Sequence, residues 1–208
     1  MYISEGIPYG FTSIAMVAVM RNEGLSLEQT GTFVAALFIP WSLKWAVAPL
    51  IDIIKLKRLG GKKAWIVFCT IMMILTLLLT AALDLLAEFQ LLVAVVVLNN
   101  IFCATQDVAI DALAVRTLRP DERGRGNGFM FGGQFLGIAL GGGGAIFVYG
   151  TWGFNISLLY ISILMFLNLM FIVFFVTDPA VQAQESEVPE ESRKTFTCLL
   201  YTSDAADD

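Results

Sequence analysis

The sequence has no histidine, few cysteines and few charged residues, and each shortage excludes a class of function. Histidine is absent from all 208 residues, which removes the commonest metal ligand and the ordinary side chain that titrates near neutral pH. Cys69, Cys103 and Cys198 are odd in number and scattered, a pattern that predicts neither a disulfide framework nor a zinc site. We therefore expect no catalytic site, no metal and no cofactor, and the chain is not predicted to be an enzyme.

Charge is scarce throughout the sequence. Charged residues make up 15% of the chain and hydrophobic residues 57%, whereas a soluble domain averages about 25% charged residues. This composition predicts an all-α, multi-pass integral membrane protein surrounded by lipid. The formal net charge of -5 shows no basic excess, so a nucleic-acid partner is not expected.

Six apolar runs are close to the length of about twenty residues that a helix needs to cross a bilayer. We number these segments one to six in chain order: Met1–Met20, Thr30–Ile51, Ala64–Leu83, Leu91–Val115, Phe129–Tyr149 and Phe154–Val176. The first has no positive charge before it and contains Glu5 and Pro8, which does not fit a signal peptide. It is interpreted as a helix whose first turns lie before residue 1.

Lysine and arginine are concentrated in the loops on one side of the predicted bundle. The loops after segments two and four contain Lys55, Lys57, Arg58, Lys62, Lys63, Arg116, Arg119, Arg123 and Arg125. The loops after segments one, three and five contain only Arg21. By the positive-inside rule, both basic loops and both chain ends are predicted to be cytoplasmic. The membrane is expected to be a bacterial inner membrane or a eukaryotic endomembrane.

The end of the chain differs in kind from the helical region 1–176. Residues 177–197 are polar and acidic and cannot bury enough apolar surface to fold, so they are predicted to form a cytoplasmic linker. Residues 198–208, CLLYTSDAADD, bear no relation to what precedes them and are interpreted as a non-native tail. We expect the chain to be a fragment of a longer protein.

Two carboxylates, Asp107 and Asp111, lie in the apolar fourth segment, in the stretch ATQDVAIDALAV. At 1.5 Å per residue from Arg116, Asp111 lies roughly 7 Å and Asp107 roughly 13 Å from the cytoplasmic end. An ionised group at that depth costs about 3 kcal/mol, so such residues usually face a cavity or a pathway. Six residues of this segment fall in one arc of about 140° and predict a wet face: Asn99, Asn100, Cys103, Gln106, Asp107 and Asp111.

Lys44 in the second segment is the predicted counter-charge. It lies eight residues before Asp52, hence about 12 Å from the same end, which matches the depth of Asp107. Two interpretations stay open: a static pair needed for folding, or a pair that a proton or substrate reorganises. Because a second aspartate leaves one acid in excess, Asp111 is predicted to exchange the proton, with Glu5 as the next candidate.

Glycines recur every four residues in the fifth segment. Gly133, Gly137 and Gly141 share this spacing, and small faces of this kind let helix backbones approach closely in lipid. The pattern predicts tight packing against a neighbouring helix, with a sliding surface between moving halves as the alternative. The run Gly141–Gly144 lacks the strand and the Lys-Ser/Thr that a nucleotide-binding loop requires.

Five stretches of the sequence are similar to motifs of a known family. They are EGIPYG (5–10), WSLKWAVAPLID (41–52), GGKKAW (60–65), ATQDVAIDALAV (104–115) and RPDERGRGNG (119–128). With them the chain resembles the amino-terminal half of a major facilitator superfamily transporter, within the group of muropeptide permeases and acetyl-coenzyme A transporters. The turn after the second segment departs from the superfamily pattern, because Ala48 replaces its first glycine.

The resemblance implies a proton-coupled secondary transporter in which two six-helix halves alternate access to a small-molecule substrate. Protons and a missing carboxy-terminal half are therefore expected partners. The implied substrate and proton pathway contains Glu5, Lys44, Asn100, Gln106, Asp107 and Asp111. The implied cytoplasmic gating loops contain Asp52, Lys62, Lys63 and Arg123.

Substrates of the group are bulky and polar, either cell-wall sugar-peptides or an acetylated nucleotide thioester. A phosphate-rich ligand would need several cations, and Lys44 is the only one in the predicted cavity, which favours a sugar-peptide or another polar solute. A channel or a non-transporting membrane scaffold is the alternative function. Substrate-dependent proton uptake and counterflow separate these alternatives from a transporter.

Overall fold

Six helices form the described part of the protein, and all six are long and apolar enough to cross a membrane. The structure, a computed structural model, describes residues 1–53, 61–85, 87–119 and 121–178, without the side chains of residues 50, 52 and 53. The membrane-crossing helices are α1 Tyr2–Asn22, α2 Leu27–Pro49, α3 Lys62–Thr80, α4 Phe89–Thr117, α5 Arg123–Trp152 and α6 Phe154–Phe175. The predicted six-helix membrane fold is thereby confirmed.

Helix α2 begins three residues earlier than predicted because its N-terminus has a capping box. The hydroxyl of Ser26 accepts a hydrogen bond from the amide of Gln29 at 3.1 Å. The Gln29 side chain in turn accepts one from the Ser26 amide at 3.0 Å. These two bonds satisfy amides that have no partner within the helix, so the helix extends beyond its apolar run.

Helix α2 is interrupted beside Lys44. One helical stretch covers Leu27–Ser42 and the next covers Lys44–Ile53. Between them, the amide of Leu43 donates to the carbonyl of Pro40 at 3.2 Å, which is the tighter three-residue spacing. Pro40 and Pro49 each lack an amide hydrogen, so the regular bonding of the helix is broken on both sides of Lys44.

Helices α1 and α5 each contain a widened π segment, and the two segments pack on each other. They cover Phe11–Ala15 in α1 and Ala139–Gly144 in α5. The Tyr160 hydroxyl of α6 donates to the carbonyl of Leu140 at 3.3 Å and so helps to satisfy the altered backbone. Gly153 then ends α5 with φ 88°, a left-handed conformation that glycine adopts without strain.

Helix α4 lies at the centre of the bundle. It packs against α1, α2 and α3, while α5 packs against α1 and α6 packs against α3 and the second part of α5. The buried apolar core runs between these helices and includes Phe11, Phe33, Met73, Leu92 and Ile161. This arrangement turns one face of α4 toward α1 and α2 and another toward α3.

Candidate functional site

Polar and aromatic side chains of α1, α2 and α4 meet inside the membrane-crossing region. We call this group the polar cluster. Contacts link Tyr2 to Asp111 and join Tyr9, Trp41, Lys44, Asn100 and Asp107. Glu5 is included because it lies between Tyr2 and Tyr9 on the same face of α1. Helix geometry explains the grouping, because the α1 members are spaced three and four residues apart and the α2 members three apart. Each helix therefore contributes one face.

Lys44 and Asp107 form an ion pair in the middle of the cluster. The Lys44 ammonium contacts the Asp107 carboxylate, whose side chain is only 4% exposed, whereas the Lys44 side chain is 31% exposed. The contact that was predicted from equal depths is thus present. Since either charge alone is costly at this depth, each partner reduces the cost of burying the other.

Trp41 holds Lys44 from a second direction and connects the cluster to α1 and α4. The Lys44 ammonium lies 4.6 Å from the centre of the Trp41 ring. The indole N–H donates to Asn100 Oδ1 at 3.3 Å, and Tyr9 meets the ring edge-on at 5.8 Å between centroids. Trp41 therefore joins the three helices that form the site.

Asp111 lies one helical turn from Asp107 in a different environment. Its side chain is exposed, and the Tyr2 hydroxyl donates to its Oδ1 at 2.9 Å. Asp111 also lines a cleft of about 340 Å³ together with Arg123 and Asn127 of α5. Asp111 is thus open to a cleft rather than enclosed, and its role as proton carrier stays a prediction.

Glu5 is buried, with 3% of its surface exposed. The Gln134 side-chain amide of α5 donates to Glu5 Oε1 at 3.4 Å, while Oε2 has no hydrogen-bond partner among the described residues. Tyr2 reaches Asp111, and Glu5 lies three residues further along α1, roughly 4.5 Å deeper. That places Glu5 near the level of Asp107 and resolves the depth that the sequence left undetermined.

Gln106 and Asn99 lie on another side of α4 from the polar cluster. Gln106 donates to the Thr70 hydroxyl at 2.5 Å, and Asn99 donates to the Thr76 hydroxyl at 2.8 Å and to the Met73 carbonyl at 3.0 Å. The predicted arc of about 140° is wide enough to touch two neighbouring helices. One edge meets α3 and the other meets α1 and α2, so the single wet face of the prediction is divided.

The predicted gating residues have mixed positions. Lys62 and Lys63 donate to the carbonyls of Ile51 at 3.3 Å and Val173 at 2.7 Å, near the carboxyl ends of α2 and α6, where cations are favourable. Arg123 is exposed at the start of α5. Asp52 lies in the last turn of α2, and its side chain is outside the described residues, as are Lys55, Lys57 and Arg58. A gating role stays a prediction for all of them.

The predicted glycine packing face contacts α1. A Cβ on Gly137 would lie 2.5 Å from the Ile3 carbonyl oxygen and 2.8 Å from the Gly6 Cα, and one on Gly141 would overlap the Ile7 carbonyl. Gly10 of α1 is equally enclosed by Ile138 and Gly142. Gly133 is looser, since its Cβ would meet the Tyr2 Cβ at 3.3 Å. We call this contact the α1–α5 seam.

The sequence contained signals for several residues that the prediction missed. Gly6 and Gly10 repeat the four-residue glycine spacing of α5, which identifies α1 as a partner of similar shape. Trp41 lies one turn before Lys44, and Gln134 is the one amide side chain among the apolar residues between Asn127 and Trp152. Thr70 and Thr76 gave no comparable signal, because threonine is common in membrane helices.

Comparison with protein families identifies the chain. The family model of the Major Facilitator Superfamily matches residues 1–203. The chain belongs to this superfamily. The match ends within the predicted non-native tail, residues 198–208. Residues 179–208 lie outside the described structure. The tail and the linker 177–197 therefore stay predictions.

Curated relatives of this major facilitator chain include permeases. The anhydromuropeptide permease of Escherichia coli K12 is 25% identical over 149 residues, which cover 72% of this chain and 30% of the relative. The putative transporter AmpG 4 of Rickettsia felis is 24% identical over 164 residues, covering 77% and 39%. An uncharacterized protein of Haemophilus influenzae is 23% identical over 186 residues, covering 89% and 44%. The chain thus spans less than half the length of these relatives.

These relatives confirm the predicted resemblance to the muropeptide permease group. The superfamily consists of membrane transport proteins, which are generally not enzymes. The six apolar helices agree with an integral multi-pass membrane protein. The predicted cytoplasmic position of both ends, the type of membrane and the dependence on protons stay predictions.

Proposed function

We propose that this chain forms the solute-binding and proton-binding half of a secondary transporter for a bulky polar solute. In this proposal a second six-helix half completes the transport pathway, and the solute gains access to each side of the membrane in turn. The observation that supports it most directly is the Lys44–Asp107 pair, held at mid-depth by residues from three helices.

The Lys44–Asp107 pair is suited to interact with a solute because its two side chains differ in solvent exposure. Asp107 is enclosed, whereas about a third of the Lys44 side chain is accessible. A polar group of a solute could therefore approach Lys44 without first displacing packed helix. A static pair used only for folding would be more stable with both charges enclosed by hydrogen bonds.

The aromatic members of the cluster favour a bulky solute. Trp41 and Tyr9 present ring surfaces beside a lysine, an asparagine and two aspartates. Binding sites for organic ligands commonly combine aromatic walls with a few convergent polar groups. One relative is named an anhydromuropeptide permease, and we propose a sugar-peptide of that chemical class as the solute here.

The excess of acids over bases supports coupling to protons. Glu5, Asp107 and Asp111 lie on the faces that form the cluster, and Lys44 is the one cation that the described part of the cluster contains. Lys44 can pair closely with one of these carboxylates at a time, so two acids remain in excess of the cations in the described part of the cluster. A proton is the smallest charge that could neutralise such a group.

The test uses the full-length protein in vesicles, with counterflow and pH-driven uptake of a labelled anhydro-sugar peptide measured side by side. We expect exchange by counterflow and accumulation when the pH gradient is imposed. Lys44→Met combined with Asp107→Asn should fold but fail to accumulate the solute. Glu28→Gln, an exposed acid in the first turn of α2, is the matched control and should behave like the parent.

The outcomes separate the parts of the proposal. Absence of counterflow with every sugar-peptide would contradict the solute class, and solute flux without counterflow would favour the channel alternative. Counterflow that ignores the pH gradient would contradict proton coupling. The isolated 1–208 chain should insert in the membrane without transporting, since it has no second half with which to alternate.

A further inference from the structure

Glu5 differs from the other carboxylates near the polar cluster in having, among the described residues, no contact with a cation and only one long hydrogen bond. Asp107 contacts Lys44, and Asp111 is exposed and accepts a hydrogen bond from Tyr2. Glu5 is 3% exposed, receives one long bond from Gln134 and has a second oxygen without a partner in the described structure. An ionised carboxylate in such surroundings is strongly unfavourable and normally takes up a proton.

The charged groups on the helices around Glu5 do not remove this cost. Lys44 of α2 contacts Asp107 of α4. Arg123 and Arg125 are exposed at the start of α5, 11 and 9 residues before Gln134, and Arg116 is exposed near the end of α4. The other titratable groups on the packed helices are Asp111 and Cys103 of α4, Tyr149 of α5, Tyr160 of α6, Glu28 of α2, Tyr2, Tyr9 and Arg21 of α1 itself, and the amino group of Met1 just before α1.

Glu5 also lies beside the tightest part of the α1–α5 seam. The next residue, Gly6, is so close to α5 that an added Cβ would overlap the Gln134 carbonyl and lie 2.9 Å from the Gly137 Cα. Water or a cation therefore cannot reach Glu5 from α5 while the backbones remain in contact. On the α5 side, an ionised Glu5 is therefore expected to become less costly once α1 rotates or separates from α5.

We propose that Glu5 is the proton-binding carboxyl of this protein. It is protonated while the α1–α5 seam is closed, and it releases the proton when the seam opens. Gln134 is a positioning residue in this proposal. Its side-chain oxygen can accept the Glu5 proton, and its amide can stabilise the carboxylate once the proton leaves. The inference deepens the proposed function and depends on it only for the use that transport makes of the proton.

The first experiment detects the proton directly. In the full-length protein in lipid vesicles, infrared difference spectroscopy across a pH titration should show the carbonyl band of a buried protonated carboxylic acid. We expect Glu5→Gln to remove this band, and Asp111→Asn and the exposed Glu28→Gln to retain it. Retention of the band in Glu5→Gln, or its loss in Asp111→Asn, would overturn the assignment.

A second variant separates a proton-binding role from a structural one. Gln134→Met preserves side-chain length but removes the amide that stabilises the ionised form, so the titration of the band should move to higher pH. Counterflow at a pH where Glu5 stays protonated should be preserved. An unchanged titration midpoint in a folded Gln134→Met protein would contradict the role of Gln134.

The third experiment tests the link to the seam. The Cβ of Tyr2 would lie 3.3 Å from a Cβ at Gly133, close to the separation of about 3.5–4.5 Å in disulfides. Tyr2→Cys with Gly133→Cys should therefore allow the seam to be locked by oxidation. We expect the oxidised protein to hold its proton to higher pH than the same protein after reduction, and equal titrations would refute the link.

These results also distinguish the inference from the proposed function. If the infrared band belongs to Glu5 and no counterflow is found, the carboxyl assignment stands and the transport proposal fails. If counterflow and pH-driven uptake are present while the band survives in Glu5→Gln, transport stands and the inference fails.

Discussion

The α1–α5 seam and the α3–α4 interface hold neighbouring helices together by different physical means. The seam brings backbone of the two helices into contact, with Gly6 against Gly137, Gly10 against Ile138 and Gly142, and Gly141 against Ile7. The α3–α4 interface is held by side-chain hydrogen bonds from Asn99 and Gln106. Shape governs the first contact and directional bonding the second.

The difference has a consequence for movement. The glycine surface itself offers no directional bond. Two side-chain bonds join the same helices, from Gln134 to Glu5 at 3.4 Å and from Asn22 to Tyr149 at 2.6 Å, and both must break before α1 and α5 can slide or rotate far. Threonine–amide bonds fix the register of α3 on α4, because each buried acceptor loses its donor if the helices shift. We infer that α3 and α4 move together, whereas α1 and α5 can change their contact.

The largest predicted effect comes from filling the seam. Gly137→Leu or Gly141→Leu should lower the free energy of unfolding by about 3 kcal/mol or more, because the added side chain meets backbone that cannot move aside. Thermal unfolding in detergent measures the loss. Gly132→Leu on the same helix is the control, since no atom lies within 4 Å of its Cβ position. If the Gly137 and Gly141 variants were as stable as the Gly132 variant, the packing of Gly137 and Gly141 against α1 would be contradicted.

The next effect concerns the ion pair, which belongs to neither interface. Asp107→Asn should leave Lys44 without its counter-charge and destabilise the fold by about 3 kcal/mol. Adding Lys44→Met should recover much of the folded yield without recovering uphill transport. Yield and unfolding temperature, combined in a double-mutant cycle, give the coupling between the residues. Additive effects would mean that the contact contributes nothing.

A smaller effect is expected at the α3–α4 interface. Gln106→Leu removes the bond to Thr70 and should cost about 1 kcal/mol, within the range for hydrogen bonds between membrane helices. Because Gln106 lies away from the polar cluster, counterflow by the folded variant should match the parent. Thr105→Val, which removes only a bond to its own helix, is the control. A specific loss of counterflow in Gln106→Leu would return this residue to the pathway.

The smallest effect is expected at the ends of the helices. Lys63→Met should cost roughly 0.5 kcal/mol by removing the bond to the Val173 carbonyl, with no change in pH-driven uptake. Uptake and unfolding temperature measured on one preparation separate a capping role from gating. Lost uptake at unchanged stability would support the predicted gating role of this residue.

The candidate site could be predicted from the sequence where depth along a helix decided the outcome. Lys44 and Asp107 were predicted to lie at matching depths below the cytoplasmic end, and they are in contact. Depth could not reveal that Asp111 is exposed or that Gln106 faces α3. Those outcomes depend on which helix packs against each edge of α4. The spacing of residues along α4 shows which of them share a face, but it does not show which helix that face contacts.

The sequence by itself determined the class of protein, the number of membrane helices and the presence of costly polar groups near the midplane. These properties are local, because apolar length and insertion cost are set by consecutive residues. Only the tertiary structure decided that Gly6 meets Gly137 and that Gly10 meets Gly142. It also decided that Glu5 is buried and that, among the described residues, its hydrogen-bond partner is Gln134 and not a cation. Both depend on contacts between residues more than 120 positions apart, which no local pattern specifies.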